Sequence, residues 1–460
     1  MKKIFAILCL SLLSNISSAQ AISDKIKAAY NIFTKDSQLK YATTSLIVTD
    51  KVTGKVLFAH NENVGLAPAS TLKTVTSATA LAILGEDYQF KTEILYTGNL
   101  SGGILNGNIL VKGNGDPSLG SNRFPETKKE TILNQVLSAV KALGINRING
   151  DVIVDNAVWD SQNLPEGWVW QDMGNYYGAG TSAVCWGENE FELKFKPSVP
   201  GGKVELTEDA FVYPFLKIIN ELETGAAGTG DKVYGYSAPY AQEVYLRGSY
   251  AVNLKKAIRF SLPDPALAMA YELNNALRKN NVAINGYTTT RNLKKENQKY
   301  TFEGKNITTI YSPKLIDLVY PFNQNSLNLY GEQMLRAMAA KDGNTIKDGL
   351  NVLKDFWGKR DIDKNTLNIG DGSGLSPANR VTAASMIKVL LWATQQSWYN
   401  GFLASLPLYN DMKMKSGTIG DVLAYSGYHK NYCFTIMVNN YNGTTSSMRQ
   451  KMFTLLNSLK

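Results

Sequence analysis

The chain has 460 residues, of which 44% are hydrophobic and 19% are charged. This composition is typical of a globular protein and excludes a disordered or fibrous one, and the length predicts two or more domains. The formal charge of +9 is spread along the chain, without an arginine-rich run or a motif of stacking aromatics. These features argue against nucleic acid as a partner, while weak attraction to an anionic cell wall is compatible with the charge.

The N-terminus has the pattern of a secretory signal. Met1-Lys2-Lys3 precedes an apolar run from Ile4 to Leu13, and small residues follow at Ser17-Ser18-Ala19. We therefore predict a signal peptide at residues 1–19 and a periplasmic or secreted mature protein. A membrane anchor is the alternative, but an apolar run of about ten residues is too short to span a bilayer. No integral membrane span is expected after removal of the signal.

Hydrophobic periodicity predicts the elements of the first two thirds of the chain. A short helix (Lys25–Lys35) precedes an antiparallel hairpin (Thr44–His60) and a helix that begins near Ser70 and ends near Gly85. Short β-strand patterns separated by glycine turns follow, including Ile104–Val111 and Val152–Asp155. Helices are predicted at Glu130–Leu143 and from Pro265 to about Lys279.

The last third predicts helices and then strands. The helices are Pro313–Phe322, Leu327–Ala340, Thr345–Trp357 and Thr382–Gln395, and the strands are Lys413–Ile419, Val422–Tyr428 and Tyr432–Asn439, before a final helix, Ser447–Leu459. We expect the two ends of the chain to share one antiparallel sheet. The fold class is then α/β (α+β type), with a discontinuous domain of residues 20–87 and 292–460 and an inserted β-rich region, 88–291, of one or two subdomains.

Histidine and cysteine usage narrows the chemistry. The only histidines are His60 and His429, both predicted at strand ends, and no spacing typical of a metal site is present. Neither a metal nor a cofactor is predicted. Cys185 and Cys433 remain after signal removal, and the sequence leaves open whether they pair. If the protein is a hydrolase, a lysine is the best available base.

Ser70 and Lys73 are three positions apart at the predicted start of a helix. This spacing places the two side chains on one face, and unpaired N–H groups at the helix start favour a developing anion near the serine oxygen. A lysine in a dry cleft loses its proton more readily, so the pair is a candidate nucleophile and base. Taken alone, Ser-x-x-Lys is a common sequence, and a serine at a helix start is often a simple cap.

The segment Asn325-Ser326-Leu327-Asn328 lies between two predicted helices. A hydroxyl and a carboxamide two positions apart can point into one cleft. We expect Ser326 to pass a proton to a leaving amine, and Asn328 to fix Lys73 and the substrate backbone. Taken alone, this segment also fits a helix N-cap.

Lys415-Ser416-Gly417-Thr418 lies in a predicted edge strand. A small residue and a glycine leave room for an extended peptide to add as a further strand. We expect Lys415 to attract a terminal carboxylate, and the N–H groups of Thr418 and Ser70 to form an oxyanion hole. Ser416 and Gly417 would then contact the substrate.

Ser-x-x-Lys, Ser-x-Asn and Lys-[Ser/Thr]-Gly, in this order, are the signature of penicillin-binding proteins and serine β-lactamases. More than half of the chain separates Ser70 from Ser326, and this large insertion resembles the D-alanyl-D-alanine carboxypeptidase/endopeptidase family, the class C low-molecular-mass penicillin-binding proteins. Further stretches are similar to that family: Gly113–Pro117, Gly167-Trp168, Asp172, Tyr176-Tyr177, Asp371–Ser376 and Ala424–Tyr428.

The resemblance implies a transpeptidase/β-lactamase-like domain of helices on an antiparallel sheet, with residues 165–190 of the insertion returning to the active site. It also implies that Asp172 binds the amino end of a diaminopimelate side chain, with Tyr177 nearby. Pro377 stands where relatives often carry an arginine that meets the substrate carboxylate, and Ser416 replaces the commoner threonine.

We therefore expect a serine peptidase that forms an acyl-enzyme at Ser70. Its expected substrates are peptidoglycan stem peptides, and β-lactams are expected to acylate it. The alternatives are a β-lactamase or esterase on the same fold and a non-catalytic wall-binding protein. The balance of carboxypeptidase and endopeptidase activity, side-chain specificity and oligomeric state do not follow from the sequence.

Overall fold

The computed structural model describes residues 20–300, 303–340 and 343–460. The contacts between Cα atoms divide the chain into two compact units. The first unit contains the described part of Met1–Glu86 together with Val319–Ser326 and Leu350–Lys460, and the second contains Asp87–Leu318 and Leu327–Gly349. The predicted signal peptide lies outside the described residues.

The helices follow the predicted order along the chain. In the described residues, α1 spans 20–33. It is followed by α2 (Lys73–Leu84), α3 (Lys129–Ala142), α4 (Trp170–Met173), α5 (Pro265–Lys279), α6 (Thr290–Lys295), α7 (Leu315–Gln324), α8 (Asn328–Met338), α9 (Ile346–Gly358), α10 (Ala383–Ala393), α11 (Tyr399–Ser405) and α12 (Thr445–Leu456).

The strands of the N-terminal half are β1 (Thr43–Asp50), β2 (Val56–His60), β3 (Lys91–Tyr96), β4 (Asn99–Ser101), β5 (Ile104–Asn106), β6 (Ile109–Gly113), β7 (Arg147–Asp155), β8 (Glu190–Leu193), β9 (Phe195–Pro197), β10 (Val204–Leu206) and β11 (Lys217–Gly225). Those of the C-terminal half are β12 (Asp231–Tyr236), β13 (Glu243–Ala251), β14 (Ile258–Ser261), β15 (Ala283–Thr289), β16 (Lys305–Tyr311), β17 (Leu367–Asn368), β18 (Arg380–Val381), β19 (Leu408–Tyr409), β20 (Met412–Ile419), β21 (Val422–His429) and β22 (Tyr432–Asn439).

The first unit is built on a six-stranded sheet with the order β19-β20-β21-β22-β1-β2. Strand β1 pairs antiparallel with β22 from Thr43↔Asn439 to Asp50↔Tyr432, so the two ends of the chain share the sheet. The predicted fold class, helices on an antiparallel sheet, is confirmed. One sheet face packs against α1 and α12 in a core that includes Tyr30, Phe434 and Met452.

Helix α2 lies in the interior of the first unit, with residues 73–81 buried throughout. Its hydroxyl side chains are satisfied within the unit. Thr74 and Ser77 donate to carbonyl oxygens one turn back in the chain, and Thr79 accepts from the indole of Trp357 at 2.8 Å. Because these hydroxyls find nearby acceptors, a helix rich in Ser and Thr can be buried.

The second unit contains a seven-stranded sheet, in which the path β16-β3-β6-β7-β5-β4 is joined by β15 on β7. A separate three-stranded sheet has the order β11-β13-β12. The insertion is thus β-rich, and helices α3 and α5 contribute Val136, Leu273 and other side chains to its core. The turn at Asn106-Gly107 separates β5 from β6, where a Cβ on Gly107 would lie 1.9 Å from the Thr97 carbonyl oxygen.

The second unit extends further along the chain than the expected boundary at residue 291. Strand β16 pairs with β3, and α8 is tied to the inserted region because Arg336 donates to Thr181 Oγ1 at 2.9 Å. Residues 292–318 and 327–349 therefore group with the insertion. The expected boundary relied on a change in local pattern, which does not reveal such long-range contacts.

Candidate active site

Ser70 lies in a short 3-10 turn, Ala69–Leu72, that leads directly into α2. Its Oγ accepts a hydrogen bond of 2.9 Å from Lys73 Nζ. Lys73 has no exposed surface, whereas Ser70 is half-buried. The amine therefore sits in the interior, behind a hydroxyl that remains accessible. The α-helix starts at Lys73 and not at Ser70 as predicted, but the spacing still brings the two side chains together.

The Ser70 segment has the features needed to stabilise a negative charge. Because the 3-10 turn begins at Ala69, the N–H of Ser70 has no acceptor within the turn. Ala69 itself has a φ of 45°, an uncommon conformation for a residue with a side chain and one that is found at functional turns.

A loop of residues 371–376 forms the wall against which Lys73 is positioned. The carbonyl oxygen of Ser373 accepts a hydrogen bond of 2.7 Å from Lys73 Nζ, and that of Gly372 accepts one of 2.6 Å from Thr76 Oγ1. Gly374 has a φ of 83°, and a Cβ there would lie 1.9 Å from the Ala69 carbonyl oxygen. Only glycine is compatible with both constraints.

Asp371 holds this loop in shape from the inside. It is fully buried and accepts hydrogen bonds from the N–H groups of Gly374 (2.8 Å) and Ser376 (2.6 Å) and from Asn379 Nδ2 (2.8 Å). The family likeness of residues 371–376 implied no role for Asp371 or Ser373. The pattern Asp-Gly-x-Gly could have indicated a tight turn at this position, because Asp and Gly favour turns.

Strand β20 carries Lys415-Ser416-Gly417 next to the Ser70 turn. A Cβ on Gly417 would lie 2.6 Å from the Pro68 carbonyl oxygen and 2.8 Å from Ser70 N. Because side chains alternate along a strand, Lys415 projects from the same face of β20 as Gly417. The turn and the Lys-Ser-Gly segment are thus brought together, as predicted from two stretches far apart in the chain.

The outer edge of β20 is open beyond its first residues. Met414 N–H donates to the Pro407 carbonyl oxygen at 2.9 Å on the β19 side, so the N–H groups of Ser416 and Thr418 point to that same side. In the described part of the chain, β19 stops at Tyr409 and no other strand continues along this edge. An extended peptide can therefore pair there, with the Thr418 N–H available as a donor.

Lys415 is 2% exposed and donates to the Ser416 carbonyl oxygen at 2.9 Å. Burial lowers the pKa of its ammonium group to about 7, because removal from water disfavours the charged form. The protonation state of Lys415 is therefore responsive to a nearby anion at neutral pH.

Ser326 belongs to the first unit and lies in the turn between α7 and α8. It is half-buried and has a φ of 58°. A left-handed conformation in a serine costs free energy and is often retained at functional sites.

Asn328, Tyr177 and Asp172 lie together in the second unit. The Nδ2 atom of Asn328 donates to the Tyr177 carbonyl oxygen at 2.7 Å, and Asn328 begins α8. Burial raises the pKa of the Asp172 carboxyl group above its ordinary value, and the neighbouring Tyr177 hydroxyl opposes that rise. The predicted substrate-binding residues of the insertion are thus neighbours of the asparagine of the Ser-x-Asn motif.

The remaining chemistry-bearing residues have structural positions. His60 ends β2 and His429 ends β21, and Cys185 and Cys433 are free and buried. Within residues 20–300, 303–340 and 343–460, no cluster of potential metal ligands is found. Over the same ranges, the helices are too short or too polar to cross a bilayer.

The antiparallel sheet with its buried helix and the adjoining Ser70 turn place the chain among the penicillin-binding peptidases. A family model described as the D-Ala-D-Ala carboxypeptidase 3 (S13) family matches residues 27–458. The chain belongs to this family of peptidase hydrolases, and the resemblance found in the sequence is confirmed.

Two curated relatives and one pair of crystal structures are similar along most of the chain. The chain is 24% identical to a D-alanyl-D-alanine carboxypeptidase of Actinomadura sp. (strain R39), covering 89% of this chain and 80% of the relative. It is 23% identical to D-alanyl-D-alanine carboxypeptidase DacB of Haemophilus influenzae, covering 84% and 83%.

The structure is similar to that of penicillin binding protein 4 from Haemophilus influenzae, with a TM-score of 0.78, 22% identity and coverage of 93% of this chain and 98% of that one. The same protein complexed with a β-lactam gives a TM-score of 0.73 at 20% identity. At these identities, the structural likeness establishes the fold.

Proposed function

We propose that the protein is a secreted serine D-Ala-D-Ala carboxypeptidase, D,D-endopeptidase or both, which acts on peptidoglycan stem peptides. The observation that carries this proposal is the 2.9 Å hydrogen bond between the fully buried Lys73 amine and the Oγ of Ser70. A lysine so placed is within reach of the serine proton, and the site has no need of a histidine.

The reaction follows from the positions of the side chains. Neutral Lys73 removes the proton from Ser70, whose oxygen attacks the carbonyl carbon of a D-Ala–D-X bond. The negative charge on the carbonyl oxygen is stabilised by the N–H groups of Ser70 and Thr418. Collapse of the tetrahedral intermediate releases the amine, which receives a proton through Ser326 and Lys73. Water then attacks the ester and frees Ser70.

Substrate recognition is assigned to the other predicted residues. Ser416 and Gly417 pair with the extended peptide, and Lys415 attracts its terminal carboxylate. Asn328 contacts the substrate backbone, and Asp172 with Tyr177 binds an amine on the substrate side chain. Exposed Pro377 supplies no charge for a carboxylate, so Lys415 carries that contact.

β-Lactams present a strained amide to the same nucleophile, and this makes a direct test possible. Intact-protein mass spectrometry after incubation with penicillin is expected to show one covalent adduct on the wild type and none on Ser70→Ala. Lys73→Met is expected to slow adduct formation by about 10²- to 10⁴-fold, whereas Lys388→Met, which removes a solvent-exposed lysine of the same unit, keeps the wild-type rate. An equal adduct on Ser70→Ala would refute the proposal.

Two assays separate this function from its alternatives. Rapid turnover of a chromogenic cephalosporin would identify a β-lactamase instead. Product analysis on cross-linked and uncross-linked muropeptides distinguishes endopeptidase from carboxypeptidase activity, and a catalytically silent wall-binding protein would leave both substrates intact.

N-terminal sequencing of the exported protein tests secretion and cleavage after residue 19.

A further inference from the structure

The second unit contains a cleft with cationic and aromatic side chains in its lining, and none of the residues discussed above lines it. It has a volume of about 420 Å³ and lies between the segment after β7 and helix α6. Its lining includes three cationic side chains, one carboxylate and two aromatic rings: Arg291, Lys294, Lys295, Asp160, Trp159 and Tyr240. A cation-lined cleft with aromatic walls is a candidate site for an anionic ligand.

Arg291 is positioned by an aromatic ring and not by a salt bridge. Its guanidinium carbon lies 3.8 Å from the centroid of the Tyr240 ring. The Nε atom is buried and has no hydrogen-bond acceptor among the described residues. Over the same residues, no salt bridge to Arg291 is formed. A half-buried guanidinium normally has its donors satisfied, so this one is positioned by stacking and still able to bind an oxyanion.

Asn156 gives a second, independent indication. It is 5% exposed, and its Oδ1 accepts a hydrogen bond of 3.1 Å from the N–H of Arg291. This contact fixes the orientation of the amide, and the Nδ2 atom is left without an acceptor among the described residues. The adjacent Asp155 is already bonded to Thr290 at 3.0 Å. Two unpaired donors, Arg291 Nε and Asn156 Nδ2, therefore lie at the base of one cleft.

The acidic groups near the cleft offset only part of its positive charge. Asp160 forms a salt bridge of 2.9 Å with Arg336. Asp264 is buried and accepts a hydrogen bond of 2.9 Å from the N–H of Leu267 at the start of α5. Its carboxyl group also interacts electrostatically with Arg291 and Lys295, without a salt bridge to either residue among the described residues. Lys294 makes a long contact, 3.4 Å, with the Ala157 carbonyl oxygen and interacts electrostatically with Asp155. Positive charge thus remains available at the cleft mouth.

We propose that this cleft is a binding site for an oxyanion, either a carboxylate or a phosphate group. The planar guanidinium of Arg291 can present two parallel N–H donors to such a group, Lys294 and Lys295 add charge, and a small adjustment of the Asn156 amide supplies a further donor. The site does not involve Ser70 or the motif residues, so it is independent of the proposed peptidase function.

Calorimetry with inorganic phosphate at constant ionic strength tests the site directly. Wild-type protein is expected to bind phosphate, with a raised melting temperature. Arg291→Gln is expected to weaken binding about tenfold or more, because one charge-assisted hydrogen-bonding group is lost. Asn156→Asp, which keeps the acceptor for the Arg291 N–H but adds a negative charge, is expected to abolish it.

The matched control is Arg147→Gln, which removes an exposed arginine of the same unit and is expected to bind as the wild type does. Penicillin acylation of Arg291→Gln at the wild-type rate shows that the variant is folded.

A second arm identifies the source of the anion. Uncross-linked muropeptides with free or amidated carboxyl groups are titrated into Ser70→Ala, with and without Arg291→Gln. Displacement of phosphate by the free-carboxyl form alone, dependent on Arg291, identifies a stem-peptide carboxylate as the ligand. Phosphate binding without such displacement identifies a phosphate-bearing ligand. Absence of any Arg291-dependent binding in both arms would overturn the proposal, whatever the outcome of the acylation test.

Discussion

The carbonyl oxygen of Ser373 accepts a 2.7 Å hydrogen bond from Lys73 Nζ, although most of the chain lies between the two residues. The same nitrogen donates to Ser70 Oγ at 2.9 Å. The loop that carries Ser373 thus determines where the amine points. Its own shape depends on the buried carboxylate of Asp371.

Asp371→Asn is expected to reduce both stability and penicillin acylation. An amide replaces one carboxylate oxygen with a donor that faces existing N–H groups, and each lost charge-assisted hydrogen bond contributes about 1.5–3 kcal/mol. We expect a lower melting temperature and a slower second-order acylation rate, measured on the same preparation. The control is Asp363→Asn, since Asp363 is exposed and its carboxylate accepts a hydrogen bond of 2.9 Å from the N–H of Asn365. Unchanged acylation in Asp371→Asn would contradict a positioning role for the loop.

Gly417→Ala is expected to impair acylation more than it impairs folding. The new Cβ would lie 2.6 Å from the Pro68 carbonyl oxygen and 2.8 Å from Ser70 N, so β20 and the Ser70 turn must separate. Overpacking of this kind costs about 1–3 kcal/mol, and a displaced oxyanion donor costs about 10²–10³ in rate. Stopped-flow acylation and thermal melting measure the two effects.

Gly65→Ala provides the comparison for Gly417→Ala. Its Cβ would meet its nearest neighbour, Arg380 Cβ, at 3.4 Å, and we expect nearly wild-type rates. If Gly417→Ala also acylates at the wild-type rate, the close contact between the strand and the turn is not required for the reaction.

Local signals predicted those parts of the fold that depend on local contacts. Asp264-Pro265 marks the start of α5, where the Asp264 carboxylate accepts from Leu267 N. The strand patterns near both ends correctly indicated a shared sheet, because alternation in β1 and β22 reflects burial on that sheet. The Ser70–Lys73 pair was also predictable, since a spacing of three residues brings side chains together in either an α-helix or a 3-10 turn.

Long-range contacts account for what the sequence did not predict. The pairing of β3 with β16 joins segments some two hundred residues apart, and no local periodicity reports such a partner. The buried Arg336 on α8 reads as a surface residue in a helical pattern, yet it is 1% exposed and bonded to the inserted region. Asp371 likewise has the pattern of an ordinary turn residue, and the sequence does not reveal that Gly374, Ser376 and Asn379 donate to its carboxylate.

Asp172→Asn is expected to change substrate preference without changing penicillin acylation. A neutral amide cannot pair with the ammonium group of a diaminopimelate side chain, so we expect KM for such peptides to rise about tenfold while kcat is retained. Burial raises the pKa of the Asp172 carboxyl group, so this group takes up a proton at a higher pH than an ordinary aspartate does. As the pH falls, the wild type is therefore expected to lose binding of the amine earlier than it would with an unperturbed carboxylate. Peptides whose side-chain amine is acetylated serve as the control, since they have no charge for Asp172 to bind. An equal loss with both peptides would contradict the assignment.

Lys415 predicts a pH dependence that is specific to ligands with a carboxylate. Because burial lowers the pKa of its ammonium group to about 7, the empty enzyme loses this positive charge as the pH rises through neutrality. The proposed contact between Lys415 and the penicillin carboxylate needs this charge, and the methyl ester has no carboxylate to bind. The ratio of the second-order acylation rates of penicillin and its methyl ester is therefore expected to fall above pH 7. The ratio removes the effect of groups whose protonation changes both acylation rates equally. In Lys415→Met, this ratio is expected to be independent of pH.

The buried Lys415 ammonium also predicts that folding stability rises with pH over the same range. In the unfolded chain, Lys415 keeps its proton up to a pH of about 10.4. The buried ammonium group therefore lowers the free energy of unfolding by its full amount below the folded pKa, and this destabilisation disappears between about pH 7 and pH 10. The wild type is therefore expected to gain stability relative to Lys415→Met over that interval, measured by denaturant unfolding. A constant difference in the free energy of unfolding, together with a flat wild-type rate ratio, would show that Lys415 stays charged and does not select the carboxylate in this way.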